Sequence, residues 1–100
     1  MRIVARRHLA EFAEQHADER SSLAQWERLV RASAWISLSD VQASLQKAKA
    51  LGGDRVRFEV SGGAYRLVAA FDFARQIAFI KFIGSHAEYD RVDALRVSQF

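Results

Sequence analysis

The sequence predicts an α+β fold, with helices in the first half of the chain and an antiparallel sheet in the second. Two observations carry this prediction. Before Gly52 the apolar residues recur three or four positions apart, which is the spacing of one helix face. From Arg55 onward apolar residues either alternate with polar ones or form short runs bounded by glycine, as strands do. We therefore expect N-terminal helices packed on one face of a small antiparallel β-sheet.

The length and composition of the chain are those of one folded unit. A chain of 100 residues is typical of a single domain, so we expect residues 1–100 to form one. Half of the residues are apolar, which disfavours disorder. No cysteine is present, which excludes disulfides, thiol nucleophiles and cysteine-bound zinc. No apolar run approaches the ~20 residues that span a bilayer, and the N-terminal one is too short for a signal peptide. We expect a cytoplasmic protein without membrane contact.

Serine and glycine residues predict where the helices begin and end. Ser22 and Ser39 are each followed three positions later by glutamine, the capping-box pattern of a helix start. Gly52 and Gly53 are predicted to end the third helix, because glycine tolerates the left-handed conformation found there. The predicted elements of this half are a short strand at Arg2–Val4, helices over Ala5–His16 and Leu23–Trp35, and a third helix from Ser39.

Three strands are predicted after Gly53. Charged and apolar residues alternate through Arg55–Val60, as in a strand with one face exposed to water. Ser61–Ala64 contains two glycines and predicts a hairpin turn. Tyr65–Phe71 and Ile77–Ile83 are apolar on both faces except for one cation each, which is typical of central strands.

The cations of this sheet predict an anion-binding surface. Between residues 55 and 84 five cations accompany two carboxylates, a net charge of +3, and arginine can bond phosphate or carboxylate through two donors. Register, which the sequence does not supply, decides whether the faces carrying Arg66 and Lys81 coincide. In the alternative interpretation each cation pairs with a carboxylate or extends to water. Because side chains alternate between the two faces of a strand, Arg66 is predicted to share a face with Val68 and Ala70. In the same way, Lys81 is predicted to share a face with Ile77, Phe79 and Ile83.

A polar segment after the last strand supplies groups that can transfer protons. His86 is of the residue type that exchanges protons near neutral pH. Tyr89 can donate a hydrogen bond or a proton, or stack on a base. Glu88 and Asp90 can orient His86, or pair with nearby arginines instead. A single histidine in such a segment is more often structural, but loops on a rigid scaffold concentrate functional groups.

Several short motifs carry a resemblance to a known family. The pieces Tyr65-Arg66-Leu67 and Gly84-x-His86-x-Glu88-Tyr89-Asp90 are specific, and Arg6-Arg7, Trp26 and Arg55–Phe58 agree with them. This pattern resembles the HigB-type toxins of type II toxin–antitoxin modules, within the RelE-like group. The sequence departs from the pattern at Gly63, where we expect Asn, and at Ser85, where we expect Thr.

The resemblance implies a RelE-like fold and an endoribonuclease that cuts mRNA, commonly on the translating ribosome. It also implies neutralisation by a HigA-type antitoxin, through which alone the toxin would reach operator DNA. No cofactor is expected. No metal site is expected either, because His8 and His16 have no third ligand at a suitable spacing.

On this hypothesis RNA is cleaved without a metal, by attack of the ribose 2′-oxygen on the adjacent phosphorus. Two alternatives remain open: a non-catalytic module that blocks translation by binding RNA or the ribosome, and a structural subunit whose sheet edge pairs with a partner. The predicted roles are catalysis by Arg66, Lys81, His86 and Tyr89, RNA binding by Arg55, Arg57 and Arg91, and orientation by Glu88 and Asp90.

Overall fold

The computed structural model describes all residues, 1–100, and contains a five-stranded sheet with three helices on one face. The predicted α+β class is confirmed. The spatial order of the strands is β1-β5-β4-β3-β2. The strands are β1 (Arg2–Val4), β2 (Lys49–Gly52), β3 (Arg55–Val60), β4 (Tyr65–Asp72) and β5 (Ile77–Ser85). The helices are α1 (Arg6–Gln15), α2 (Arg20–Ala32), α3 (Leu38–Ser44) and α4 (His86–Tyr89).

The sheet is mixed, whereas the sequence predicted an antiparallel one. β2 to β5 form an antiparallel meander, of which β3, β4 and β5 were predicted. β1 instead lies parallel to β5, with Arg2 beside Ile77 and Val4 beside Phe79. All three large helices lie between β1 and the meander in the sequence. The packing of those helices therefore decides where β1 joins the sheet.

β2 was missed by the sequence analysis, which placed residues 49–52 at the end of a helix. Lys49 and Ala50 pair with Arg57 and Val56 of β3. The two strands are joined through residues 52–54, all of which have positive φ. The two glycines therefore make a hairpin turn rather than a helix stop, and a four-residue strand is too short to show a period of its own.

Two predicted helix starts were also wrong. Ser22 lies inside α2, which begins at Arg20 without a side-chain cap, and its hydroxyl faces that of Ser61 at 3.2 Å. The cap of α3 is Ser37, whose side chain accepts the amide hydrogen of Asp40, rather than Ser39. The capping pattern occurred at several serines, and tertiary contacts decided which of them begins a helix.

The main core lies between the helices and one face of the sheet, which we call the helix face. Val56, Phe58 and Leu67 project from this face and are at most 2 % exposed. They belong to one buried cluster with apolar residues of all three large helices, because the helical spacing of those residues turns them towards the sheet. The helix side of this core is made by Leu9, Ala13, Leu23, Trp26, Val30 and Val41.

The other face of the sheet carries Arg55, Arg57 and Arg66, and we call it the arginine face. Val68 and Phe82 also lie on it, yet both are buried. The C-terminal segment, residues 91–100, contributes to this cover. Its carbonyls at positions 94 and 97 accept hydrogen bonds from Arg55, and Gln99 bonds the backbone of β5. None of the helices combines the length and the hydrophobicity that a membrane span requires.

Candidate functional site

Arg66 is the central cation of the candidate site, and it is only 8 % exposed. Strand pairing places it between Glu59 of β3 and Gly84 of β5. Its Nη1 donates a 2.5 Å hydrogen bond to the Gly63 carbonyl, and its Nη2 lies 3.7 Å from Glu59 Oε1. The hairpin turn and the neighbouring strand therefore fix the position of this guanidinium.

Arg57 completes a row of three charged side chains on the arginine face. Its Nη2 lies 3.8 Å from Oε1 of Glu59, the same oxygen that faces Arg66. The row forms because residues 57 and 59 are two apart on β3 and therefore point to the same side. One carboxylate thus stands between two guanidinium groups.

The polar segment after β5 folds into the short helix α4, which carries His86. Ser85 caps this helix: its hydroxyl accepts the Glu88 amide hydrogen, while the Glu88 carboxylate accepts that of Ser85. His86 is exposed, its Nδ1 lies 3.0 Å from Asp90 Oδ2, and its backbone amide donates to the Ala64 carbonyl. Asp90 is thus placed to orient His86, whereas Glu88 holds the helix start.

Hydrogen bonds and charge both act on Glu88. The backbone amide of Ser85, and after it the Ser85 hydroxyl, lower the pKa of the Glu88 carboxyl below its ordinary value by hydrogen bonding, and the nearby His16 and Arg91 act in the same direction. This carboxylate therefore stays ionised over the neutral range and holds α4 against the end of β5.

Tyr89 lies at the same end of the arginine face as Arg66. Its ring is 6.1 Å from that of Phe82, a residue of this face. Gly84, the β5 partner of Arg66, leaves room for the Phe82 ring, since a side chain there would come within 2.8 Å of it. Arg66, His86 and Tyr89 are therefore brought to one end of the sheet by the hairpin turn and α4.

Lys81 lies on the arginine face, but at a distance from Arg66. A β-bulge leaves it without a partner on β4, because Val68 pairs with Phe82 and Ala69 with Ile80. Its Nζ lies 5.6 Å from the centre of the Phe79 ring. Phe79 pairs with Ala70, which is four residues, or about 13 Å, further along β4 than Arg66. The Lys81 ammonium is thus turned towards Phe79 and away from Arg66.

The bulge also corrects the predicted grouping of side chains on β5. Ile83 pairs with Leu67 and belongs to the helix-face core, so it does not share a face with Lys81. An inserted residue changes the alternation, and the sequence offers no signal for it.

Two of the predicted RNA-binding residues differ in whether their side chains are already bonded within the protein. Arg55 donates hydrogen bonds of 3.0 and 2.7 Å to the carbonyls of Ala94 and Val97 and is therefore committed to the C-terminal segment. Arg91 is exposed just after α4. Of the two, only Arg91 is placed to meet a ligand without rearrangement.

A second polar cluster, missed by the sequence analysis, lies at the helix-face rim of the same end. His16 stacks on Phe12, and both rings pack edge-on against Tyr65. Partial burial raises the pKa of the Tyr65 phenol, and the carboxylates of Asp18, Glu19 and Glu88 raise it further. Tyr65 thus remains neutral, and as the residue before Arg66 it points to the opposite face.

The residues missed most plainly were Tyr65 and Glu59. Alternation along β3 already placed Glu59 beside Arg57, so their pairing could have been predicted. The role of His16 could not, because it depends on how α1 packs against β4.

The comparisons with known proteins agree with the fold. A family model described as HigB toxin, the RelE-like toxic component of a toxin–antitoxin system, matches residues 19–92. A comparison with curated proteins gave no significant match. The matched segment begins just before α2 and ends after α4, so it includes the whole meander and the candidate site. The chain belongs to the HigB toxin family of RelE-like toxic components of toxin–antitoxin systems.

Proposed function

We propose that this toxin is an endoribonuclease that cuts mRNA at the end of the arginine face next to α4. The observation that supports it is the placement of a buried arginine, Arg66, at the same end of the sheet as His86 and Tyr89. RNA cleavage needs a cation for the phosphate and groups that move two protons, and these three side chains supply both.

The reaction requires no group from outside the protein. A base removes the proton of the ribose 2′-hydroxyl, its oxygen forms a bond to the adjacent phosphorus, and the bond from phosphorus to the 5′-oxygen breaks. An acid then protonates that 5′-oxygen. Arg66 stabilises the charge on the phosphorane, an electrostatic contribution that is usually the largest in such sites. His86 and Tyr89 serve as the proton-transfer pair, with Asp90 holding the His86 ring.

The remaining cations hold the RNA on either side of the cut. Arg57 and Arg91 contact backbone phosphates near Arg66, which gives binding its salt dependence. Lys81, predicted as catalytic, acts at a neighbouring phosphate. Its ammonium lies over Phe79, whose partner Ala70 is about 13 Å along β4 from Arg66. Arg55 reaches RNA only if the C-terminal segment releases it.

The family shows a toxin that has an antitoxin partner. We propose that this partner is of the HigA type and that the toxin reaches operator DNA only through it. The substrate is mRNA on the translating ribosome, which places the activity in the cytoplasm.

Cleavage in a translating extract, mapped by primer extension, tests the proposed function. We expect Arg66→Ala to slow the appearance of new 5′ ends by about 10²–10³. His86→Ala and Tyr89→Phe should each slow it by about 10²–10⁴. Arg31→Ala is the control, because Arg31 is exposed at the end of α2, away from the site. Circular dichroism of each variant checks the fold.

If the three site variants cut as fast as the parent, the site is wrongly assigned.

A second function, blocking translation by binding without cleavage, is favoured by one observation. Arg66 is already bonded to Gly63 and faces Glu59, which limits its reach towards a scissile phosphate. Arrested translation without new 5′ ends would support that function and contradict the nuclease.

A further inference from the structure

Glu59 lies where an anion would bind between two arginines. Its Oε1 is 3.8 Å from Arg57 Nη2 and 3.7 Å from Arg66 Nη2. All three side chains are largely buried, with 21, 22 and 9 % of the side chain exposed for Arg57, Glu59 and Arg66. The carboxylate is therefore an internal counter-ion held in a partly desolvated position.

The two arginines are not fully satisfied by Glu59. Both distances exceed the 2.7–3.2 Å of a good N–H···O hydrogen bond. The Nε atoms of Arg57 and Arg66 are buried and have no hydrogen-bond partner at all. Buried donors left without partners are costly, so this pair of guanidinium groups has unused capacity for a better acceptor.

A phosphate fits this capacity better than a carboxylate does. Its non-bridging oxygens can accept from two guanidinium forks at once, which is the geometry that arginine favours. Gly63 leaves space beside the pair: a Cβ there would lie 3.2 Å from Arg66 Nη1 and 3.8 Å from the Glu59 carboxyl carbon. The absence of a side chain at position 63 thus keeps this side of the pair open.

From this geometry we infer that Glu59 occupies the place of an RNA backbone phosphate, and that RNA binds by displacing it from between Arg57 and Arg66. Glu59 is then a positioning residue that holds both guanidinium groups in place in the free toxin and limits its affinity for RNA. The identity of the ligand rests on the proposed function, whereas the anion site itself is tested separately below.

The first test uses Glu59→Gln, which removes the charge and keeps the size of the side chain. Fluorescence anisotropy would measure binding of a short single-stranded 2′-O-methyl RNA, which lacks the attacking hydroxyl, over a range of salt concentrations. We expect roughly three- to thirtyfold tighter binding at low salt, as for the loss of two partly screened ion pairs. The salt dependence should steepen by up to about 0.7, the value of one additional phosphate contact.

The matched control is Glu14→Gln, which removes the same charge from an exposed position on α1. A general gain in positive charge would tighten binding in both variants equally, and that result would overturn the inference. Glu59→Asp keeps the charge on a shorter side chain and should stay close to the parent.

The second test needs no RNA. Inorganic phosphate is titrated into the protein while the side-chain Nε–Hε signals of Arg57 and Arg66 are followed by NMR. We expect both signals to shift together, and at several-fold lower phosphate concentration in Glu59→Gln than in the parent or in Glu14→Gln. If the two signals do not respond, or respond equally in all three proteins, no anion site exists between these arginines.

The two hypotheses fail in different ways. If the nuclease proposal is wrong, the parent protein cuts no RNA, while Glu59→Gln can still bind phosphate more tightly than the parent. If the present inference is wrong, the parent cuts RNA and Glu59→Gln binds phosphate no more tightly than the parent.

Discussion

Gly63 illustrates how one residue can couple the hairpin turn to the candidate site. Its φ of +98° is one that side-chain-bearing residues rarely adopt, and its carbonyl accepts the short hydrogen bond from Arg66. The family pattern led us to expect Asn at this position. Glycine instead gives the guanidinium of Arg66 room beside Glu59.

We expect Gly63→Ala to impair the site as well as the fold. The left-handed backbone should cost about 1–2 kcal/mol of unfolding free energy, and the added Cβ would meet Arg66 Nη1 at 3.2 Å. Urea denaturation and RNA cleavage would measure the two effects. Gly62→Ala is the control, since its φ is also positive and its Cβ would meet nothing within 4 Å. Equal cleavage by both variants would show that Arg66 tolerates the displacement.

At the scale of elements, α4 is a helix that the sequence prediction did not include. Residues 84–90 were interpreted as a polar segment, although Ser85 and Glu88 have the spacing of a capping box. The sequence therefore contained the signal. A single turn of helix is too short to show hydrophobic periodicity, and its docking through the Ala64 carbonyl is a tertiary contact.

The cap of α4 predicts a pH dependence. The pKa of Glu88 is lowered in the folded state, so its contribution to stability is present above the pKa of the unfolded chain. That contribution is lost as the pH falls through the folded value. We expect Ser85→Ala to raise this pKa towards its ordinary value, because the contribution of the Ser85 hydroxyl is lost while that of the backbone amide remains. The loss of the cap should cost about 0.5–1 kcal/mol.

NMR titration of the Glu88 carboxyl carbon would measure this pKa directly. Ser39→Ala, at an exposed position of α3, is the matched control and should leave it unchanged. An unchanged pKa in Ser85→Ala would mean that the backbone bond alone holds the carboxylate.

Across the whole molecule, the sheet is covered on both faces by different parts of the chain. The helices cover one face, and the C-terminal segment crosses the other. This segment is fixed at several points: by Arg55, by the bond from the Gln99 amide to the Lys81 carbonyl, and by the stacking of Phe100 on His8 at 3.7 Å. Most of it lies outside the residues matched by the family model.

Removal of the Arg55 contacts should loosen the C-terminal segment. We expect Arg55→Ala to lower the free energy of unfolding by about 1–3 kcal/mol, because two hydrogen bonds from a charged group are lost. Amide hydrogen exchange should accelerate at residues 94–99 while the β3–β4 pairing stays protected. Arg31→Ala, an exposed substitution, should change neither. Uniformly faster exchange across the sheet would instead assign Arg55 to global stability.

Periodicity, glycine positions and charge in the sequence determined the class of fold, three of the four strands of the meander (β3, β4 and β5) and the candidate residues at its end. These signals are local, and they are carried by residues a few positions apart. Tertiary structure alone decided the parallel placement of β1, the existence of β2 and the bulge at Lys81. It also tied Arg55 to the C-terminal segment. Each of these depends on which distant segments meet, and one inserted residue or one docked helix changes the face on which a side chain lies.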